Sequence, residues 1–208
     1  MPTRDPFQNI RLKLKGWKQI FQANGQEKKA RVATVISDKI DFKTKVMKGD
    51  TEGHFIILKG RIHQEDIKIV NVYAPNIGAP KYIRKILEDF KKNIDSNTLI
   101  LGDLIPLSTM ERSSKQRCNK DIVALDDALG QMELIDIYRT FHTKEAKYTF
   151  FSNAHGTYSK TDHMIGHKTS INKFKKIEII SSIFSDCKGL NQETNFKKKL
   201  KNIQIHGD

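Results

Sequence analysis

The stretch Asn97-Thr-Leu-Ile-Leu-Gly-Asp-Leu-Ile-Pro-Leu-Ser108 decides how the chain is read. Leu99 to Leu101 form a short apolar run that predicts a buried strand. Gly102-Asp103 follows at its carboxyl end, and Pro106 stops the strand from continuing. In α/β sheets, ligands and catalytic carboxylates collect at the carboxyl ends of strands. Asp103 is therefore the first candidate for chemistry. Gly-Asp is also an ordinary exit from a strand into a turn, and spacing alone favours that plainer reading.

The neighbouring segments predict a sheet with helices between its strands. Val32–Ser37 reads as a strand. His54–Lys59 and Ile67–Tyr73, on either side of the polar Gln64-Glu-Asp66, read as a hairpin. Pro80 opens a helix in which Ile83, Ile86, Leu87, Phe90 and Ile94 make one apolar stripe. A second helix is expected from about Asp121 to Met132, on Ile122, Leu125, Leu129 and Met132. Further strands are expected at Leu134–Tyr138, Tyr148–Phe151, around Asp162–Ile165 and at Ile177–Ile180. Trp17 reads equally as a core anchor or a DNA-stacking group. With no internal repeat or clear linker, the expectation is one α/β domain over residues 1–188. A polar, Lys-rich tail over 189–208 is expected to follow it.

Composition narrows the partners. The chain has 208 residues, 38% hydrophobic and 29% charged, with a formal net charge of +13. That excess points to a polyanion, nucleic acid before membrane, although Lys scattered over solvated faces would give the same count. Cys118 and Cys187 show neither metal-ligand nor disulfide spacing, which predicts free thiols in a reducing compartment. The start lacks the apolar core of a secretory signal, and no run approaches the roughly 20 apolar residues of a membrane span. An intracellular protein, in nucleus or cytoplasm and without a membrane partner, is expected.

Polar stations recur at predicted strand ends: Tyr73 with Asn76, Asp103, Asp162-His163 and Ser185-Asp186. Carboxylates so placed, on a basic protein, suit metal-dependent phosphodiester chemistry. Mg²⁺ takes a few oxygen ligands and leaves room for water and phosphate. The blocks that carry these stations are Asn71-Val-Tyr-Ala-Pro-Asn76, Leu101-Gly-Asp103, Leu134-Ile-Asp-Ile-Tyr-Arg139, Tyr148-Thr-Phe-Phe-Ser152, Thr157-Tyr-Ser-Lys160 and Ser185-Asp186. In that order the chain resembles the endonuclease domain of LINE-one (long interspersed element) non-LTR retrotransposons. That domain is an apurinic-endonuclease-like branch of the endonuclease/exonuclease/phosphatase superfamily.

The resemblance implies a two-sheet β-sandwich flanked by helices, and Mg²⁺-dependent nicking of DNA. It implies that Tyr73 is the active-site tyrosine and that Asp103 positions the nucleophilic water. Asp162 would orient a catalytic histidine, and Asp186 belongs to the terminal Ser-Asp-His motif and is a candidate metal ligand. Asn76, Arg112, Thr149 and Ser159 fall in segments that lie near DNA in the family; the last three read equally as ordinary loop residues.

The chain also departs from the family pattern. It starts after the strands that carry the family's first Asn and its metal-binding Glu, so the first strand region is expected to be absent and Mg²⁺ binding impaired. Gly-Asp-Phe-Asn-Thr-Pro has become Gly102-Asp-Leu-Ile-Pro106, which leaves Ile105 two residues beyond Asp103 in place of an amide. Cys187 replaces the terminal histidine. A thiol has an ordinary pKa near 8.5 and no second nitrogen for Asp162. Loss of such acid–base help typically costs about 10²–10⁴ in rate. Three readings follow: a degenerate endonuclease with residual nicking, a non-specific nucleic-acid-binding remnant, or a chain that does not fold stably. No reverse-transcriptase domain is expected in this chain.

Overall fold

Apolar residues adjacent in sequence end in two different cores. The computed structural model describes residues 7–10, 17–24, 30–75, 77–104, 120–143, 150–152, 157–159, 162–181, 188–194 and 205–206. In chain order the first strands are β1 (Phe7–Ile10), β2 (Trp17–Asn24), β3 (Ala30–Ser37), β4 (Phe42–Gly49), β5 (Phe55–Ile62) and β6 (Glu65–Tyr73). Helix α1 (Ala79–Phe90), β7 (Thr98–Asp103), α2 (Lys120–Gln131), β8 (Leu134–Asp136) and α3 (Ile137–Phe141) follow. The chain ends with β9 (Phe150–Ser152), β10 (Thr157–Ser159), β11 (Asp162–His167), β12 (Phe174–Ser181), β13 (Lys188–Thr194) and β14 (Ile205–His206).

The main sheet has six strands in the order β4-β5-β6-β7-β11-β8. Only β6 and β7 run parallel, joined by the α1 crossover; the other pairs are antiparallel. Against one face lie β1-β2-β3-β14 and the separate pair β12-β13. Against the other face lie α1 and α2. Strand residues divide between the faces by simple alternation. Ile56, Leu58, Ile69, Leu99, Leu101 and Met164 meet the second β layer. Ile57, Val70, Val72, Ile100 and Ile165 meet the helices. Covered on both sides, these strands read as continuous apolar runs.

Local contacts fix how the layers meet. Phe42 crosses to Phe21 edge-on at 6.4 Å between ring centroids. A Cβ on Gly60 would come within 2.6 Å of the Phe42 ring, so only glycine lets that ring lie against β5. Asn71, 4% exposed, donates from Nδ2 to the Ala33 carbonyl at 3.0 Å and to Thr34 Oγ1 at 3.3 Å. This hydrogen-bonded amide ties β6 to β3 across the sandwich.

Several sequence expectations shift here. The hairpin turn falls on His63-Gln64, both left-handed at φ 48° and 73°, rather than on Gln64-Glu-Asp66. Leu134–Tyr138 splits: β8 ends at Asp136, whose carboxylate accepts from Arg139 N at 3.1 Å and caps α3. The α1 stripe ends at Phe90, and Ile94 follows a 3₁₀ turn. The division at residue 189 falls inside β13, and Ile205–His206 pairs with β3. Ladder pairing uses backbone groups, which polar residues supply as well as apolar ones. No described helix is long and apolar enough to cross a membrane.

Candidate functional site

Tyr73 and Asp103 end the two parallel strands and are register partners. Asp103 is also the register partner of Asp162, which begins β11. Three of the sequence-selected residues thus share one end of the central sheet. The turn out of β7 depends on Gly102, whose φ of +132° disfavours any side chain. A Cβ there would lie 1.9 Å from the Val72 carbonyl oxygen. Leu104, fully buried, then fixes the exit of the strand immediately after Asp103.

Tyr73 is half-buried and packs against the core between the β layers. Its backbone N–H donates to the His54 carbonyl at 2.7 Å, which holds the β4–β5 turn against the end of β6. Asp162 is half-buried, and Met164, two residues on, faces the sandwich core. His163 takes the opposite face, fully buried, with Nδ1 2.7 Å from Asp136 Oδ2. His163 is therefore turned away from the face that Asp162 shares with Met164.

A second titratable group adjoins this end on the α1 side. Asp50 accepts from Phe55 N at 3.0 Å and lies 3.3 Å from His54 Nδ1. The His54 ring lies 5.5 Å from Tyr82. Burial, with a contribution from the Asp50 charge, holds the Tyr82 hydroxyl well above its usual range. These contacts pin the β4–β5 turn. Sequence reading missed this trio, because its members come from a turn and a helix with no shared motif.

Asn76, Arg112, Thr149, Asp186 and Cys187 lie outside the described residues. Ser159 is paired through its backbone with Phe150 in the β9–β10 hairpin. Among the described residues no three His, Cys, Asp or Glu side chains converge to hold a metal ion. The chain's Gln192-Glu-Thr194 ends β13, with Thr194 opposite Phe174. Phe174 follows the 3₁₀ segment whose Lys173 reaches Asn97 Oδ1 at 2.6 Å, before the start of β7. Glu193 thus stands at the far end of the sheet from Asp103.

Several ion pairs lie among the described residues at that far end. Lys45 and Arg61 meet Asp66 at 2.6 and 3.0 Å, and Lys68 meets Asp95 at 3.0 Å. Lys168 pairs with Glu133. Runs such as Lys197–Lys199, and Arg112, Lys115 and Arg117, lie outside the described residues.

No family model matches the chain. Its fold is similar to the endonuclease domain of TRAS1, a telomere-specific non-LTR retrotransposon. That match has 16% identity, covers 89% of this chain and 83% of that one, and has a TM-score of 0.70. An AP endonuclease from Archaeoglobus fulgidus matches at 14% identity, 87% and 80% coverage and a TM-score of 0.65. The 3′-5′ exonuclease NExo from Neisseria meningitidis matches at 18% identity, 88% and 81% coverage and a TM-score of 0.61. The chain has the mixed α/β sandwich of the endonuclease/exonuclease/phosphatase fold, the fold of a retrotransposon endonuclease domain and of AP endonucleases.

Proposed function

We propose that this chain is a DNA-binding domain of retrotransposon-endonuclease type in which strand cleavage is strongly impaired. The observation that carries the reading is the meeting of Tyr73, Asp103 and Asp162 at one end of the central sheet. Strand-end carboxylates beside a tyrosine, on a fold shared with nucleases, suit a phosphodiester substrate. The net charge of +13 supplies the attraction to DNA. Similar structures include the NExo 3′ phosphatase bound to a product DNA hairpin and a TDP2 complexed with a single-strand DNA product.

Binding and cleavage separate because they draw on different residues. Phosphate attraction needs cations, which the chain has in excess. Cleavage needs an oriented water and a proton acceptor. Ile105 offers no amide to hold the water, and the Cys187 thiol gives Asp162 no imidazole to orient. Mg²⁺ is the cofactor that the family resemblance implies, with Asp186 the candidate ligand.

Binding to a fluorescent duplex, titrated across salt concentrations, tests the DNA reading. The logarithm of affinity is expected to fall linearly and steeply with the logarithm of salt. Flat salt dependence would remove the electrostatic basis of the proposal.

A further inference from the structure

The end of β6 is held from two sides. On one side Tyr73 is the register partner of Asp103 in β7. On the other, the β5–β6 ladder has its last register pair at Phe55 and Val72. The His54 carbonyl carries the pairing one residue further, onto the Tyr73 N–H at 2.7 Å. His54 precedes β5, so that bond depends on the turn that delivers it.

Asp50 builds the turn. Its backbone N–H donates to the Phe55 carbonyl and its carbonyl accepts from Gly53 N, both at 3.4 Å. Its side chain accepts from Phe55 N at 3.0 Å, and its other oxygen lies 3.3 Å from His54 Nδ1. The His54 carbonyl and the Phe55 N–H belong to one peptide unit, which is rigid and planar. Asp50 holds the N–H of that plane, and Tyr73 donates to its carbonyl. Fixing one end of the plane therefore fixes the direction of the other, and two hydrogen bonds in series polarise each other. From α1, the Tyr82 ring lies 5.5 Å from His54 and the Phe90 ring 5.4 Å from Phe55.

We infer that Asp50 is a positioning residue for Tyr73, acting through the His54–Phe55 peptide to set where the Tyr73 hydroxyl meets a DNA phosphate. The inference rests on the DNA-binding reading above. It adds a carboxylate that touches no DNA and acts only through the backbone it holds.

Affinity for a fluorescent duplex at one low salt concentration tests it. The full chain is compared with Asp50→Ala, Asp50→Asn, Tyr73→Phe and the combined Asp50→Ala/Tyr73→Phe variant, each below its thermal transition. If Asp50→Ala lacks a cooperative transition, Asp50→Ser takes its place. Tyr73→Phe is expected to bind about tenfold more weakly, the scale of one hydrogen bond to a charged acceptor. Asp50→Ala is expected to lose up to the same factor, and the combined variant no more than Tyr73→Phe alone. Asp50→Asn keeps an acceptor for Phe55 N and is expected to bind close to wild type. Losses that multiply in the combined variant would overturn the inference, because Asp50 would then act independently of Tyr73. So would unchanged affinity in Asp50→Ala or Tyr73→Phe, or an Asp50→Asn as weak as Asp50→Ala. Absence of wild-type binding would overturn the DNA reading and the positioning role together.

Discussion

His163 Nδ1 lies 2.7 Å from Asp136 Oδ2, with His163 fully buried and the Asp136 side chain 5% exposed. The pair joins β11 to the start of α3, because the other oxygen of Asp136 caps that helix at Arg139 N. His163 is also the register partner of Gly102, one residue from the Asp103–Asp162 pairing. The pair therefore underlies the candidate site from the helix side. His163→Leu is expected to cost about 1–3 kcal/mol, since a buried acceptor loses its donor. Asp136→Ala is expected to cost more, because the cap adds about 1 kcal/mol. Urea denaturation of both variants measures this, and equal losses would show that the cap contributes nothing.

Gly102 is the least replaceable position near the site. Any side chain there meets the Val72 carbonyl at 1.9 Å and must hold a φ of +132°. Gly102→Ala is expected to lose more than about 3 kcal/mol, or to prevent cooperative folding. A thermal melt close to that of the wild type would mean that β6 and β7 do not approach as described.

Asp95 gives the fold an acid-sensitive joint. Burial raises its carboxyl, but the Lys68 ammonium, the Asn97 N–H and the Thr98 hydroxyl outweigh that and hold it below its usual value. A carboxylate depressed in the folded state adds stability above its unfolded pKa and loses it as pH falls through the folded one. The stability advantage of wild type over Asp95→Asn should therefore be full near neutral pH. It should shrink progressively below about pH 3.9, the ordinary Asp value. Denaturation midpoints of the two proteins between pH 2 and 7 test this. An advantage that grows on acidification would reverse the sign.

The β5–β6 turn offers the opposite experiment, a gain. His63 and Gln64 both hold left-handed φ values, which suit Asn-Gly far better. Replacing the pair by Asn-Gly is expected to raise stability by about 1 kcal/mol. No change in the denaturation midpoint would show that the turn carries no strain.

Much of this fold was legible because its central strands and helices each have a single strong period. The α1 stripe and the Leu99–Leu101 run led directly to a strand-end Asp103, and both elements appear where expected. β4 escaped because an edge strand needs little apolar surface: in Phe42–Gly49 only Phe42 is buried, and lysines alternate beyond it. β2 escaped because Trp17–Phe21 reads as an apolar cluster without clear alternation. β13 and β14 escaped because their pairing is a backbone matter. At the site, no sequence period could show that Tyr73, Asp103 and Asp162 share a register. That follows only from how β6, β7 and β11 align.

In the proposed function, DNA binding outlives DNA cleavage. Incubating supercoiled plasmid with the protein and Mg²⁺, then resolving the products on a gel, tests both halves at once. The plasmid is expected to be retarded by bound protein yet to remain supercoiled once the protein is removed. Relaxation by the wild type that Asp162→Ala abolishes, or no retardation at low salt, would contradict it.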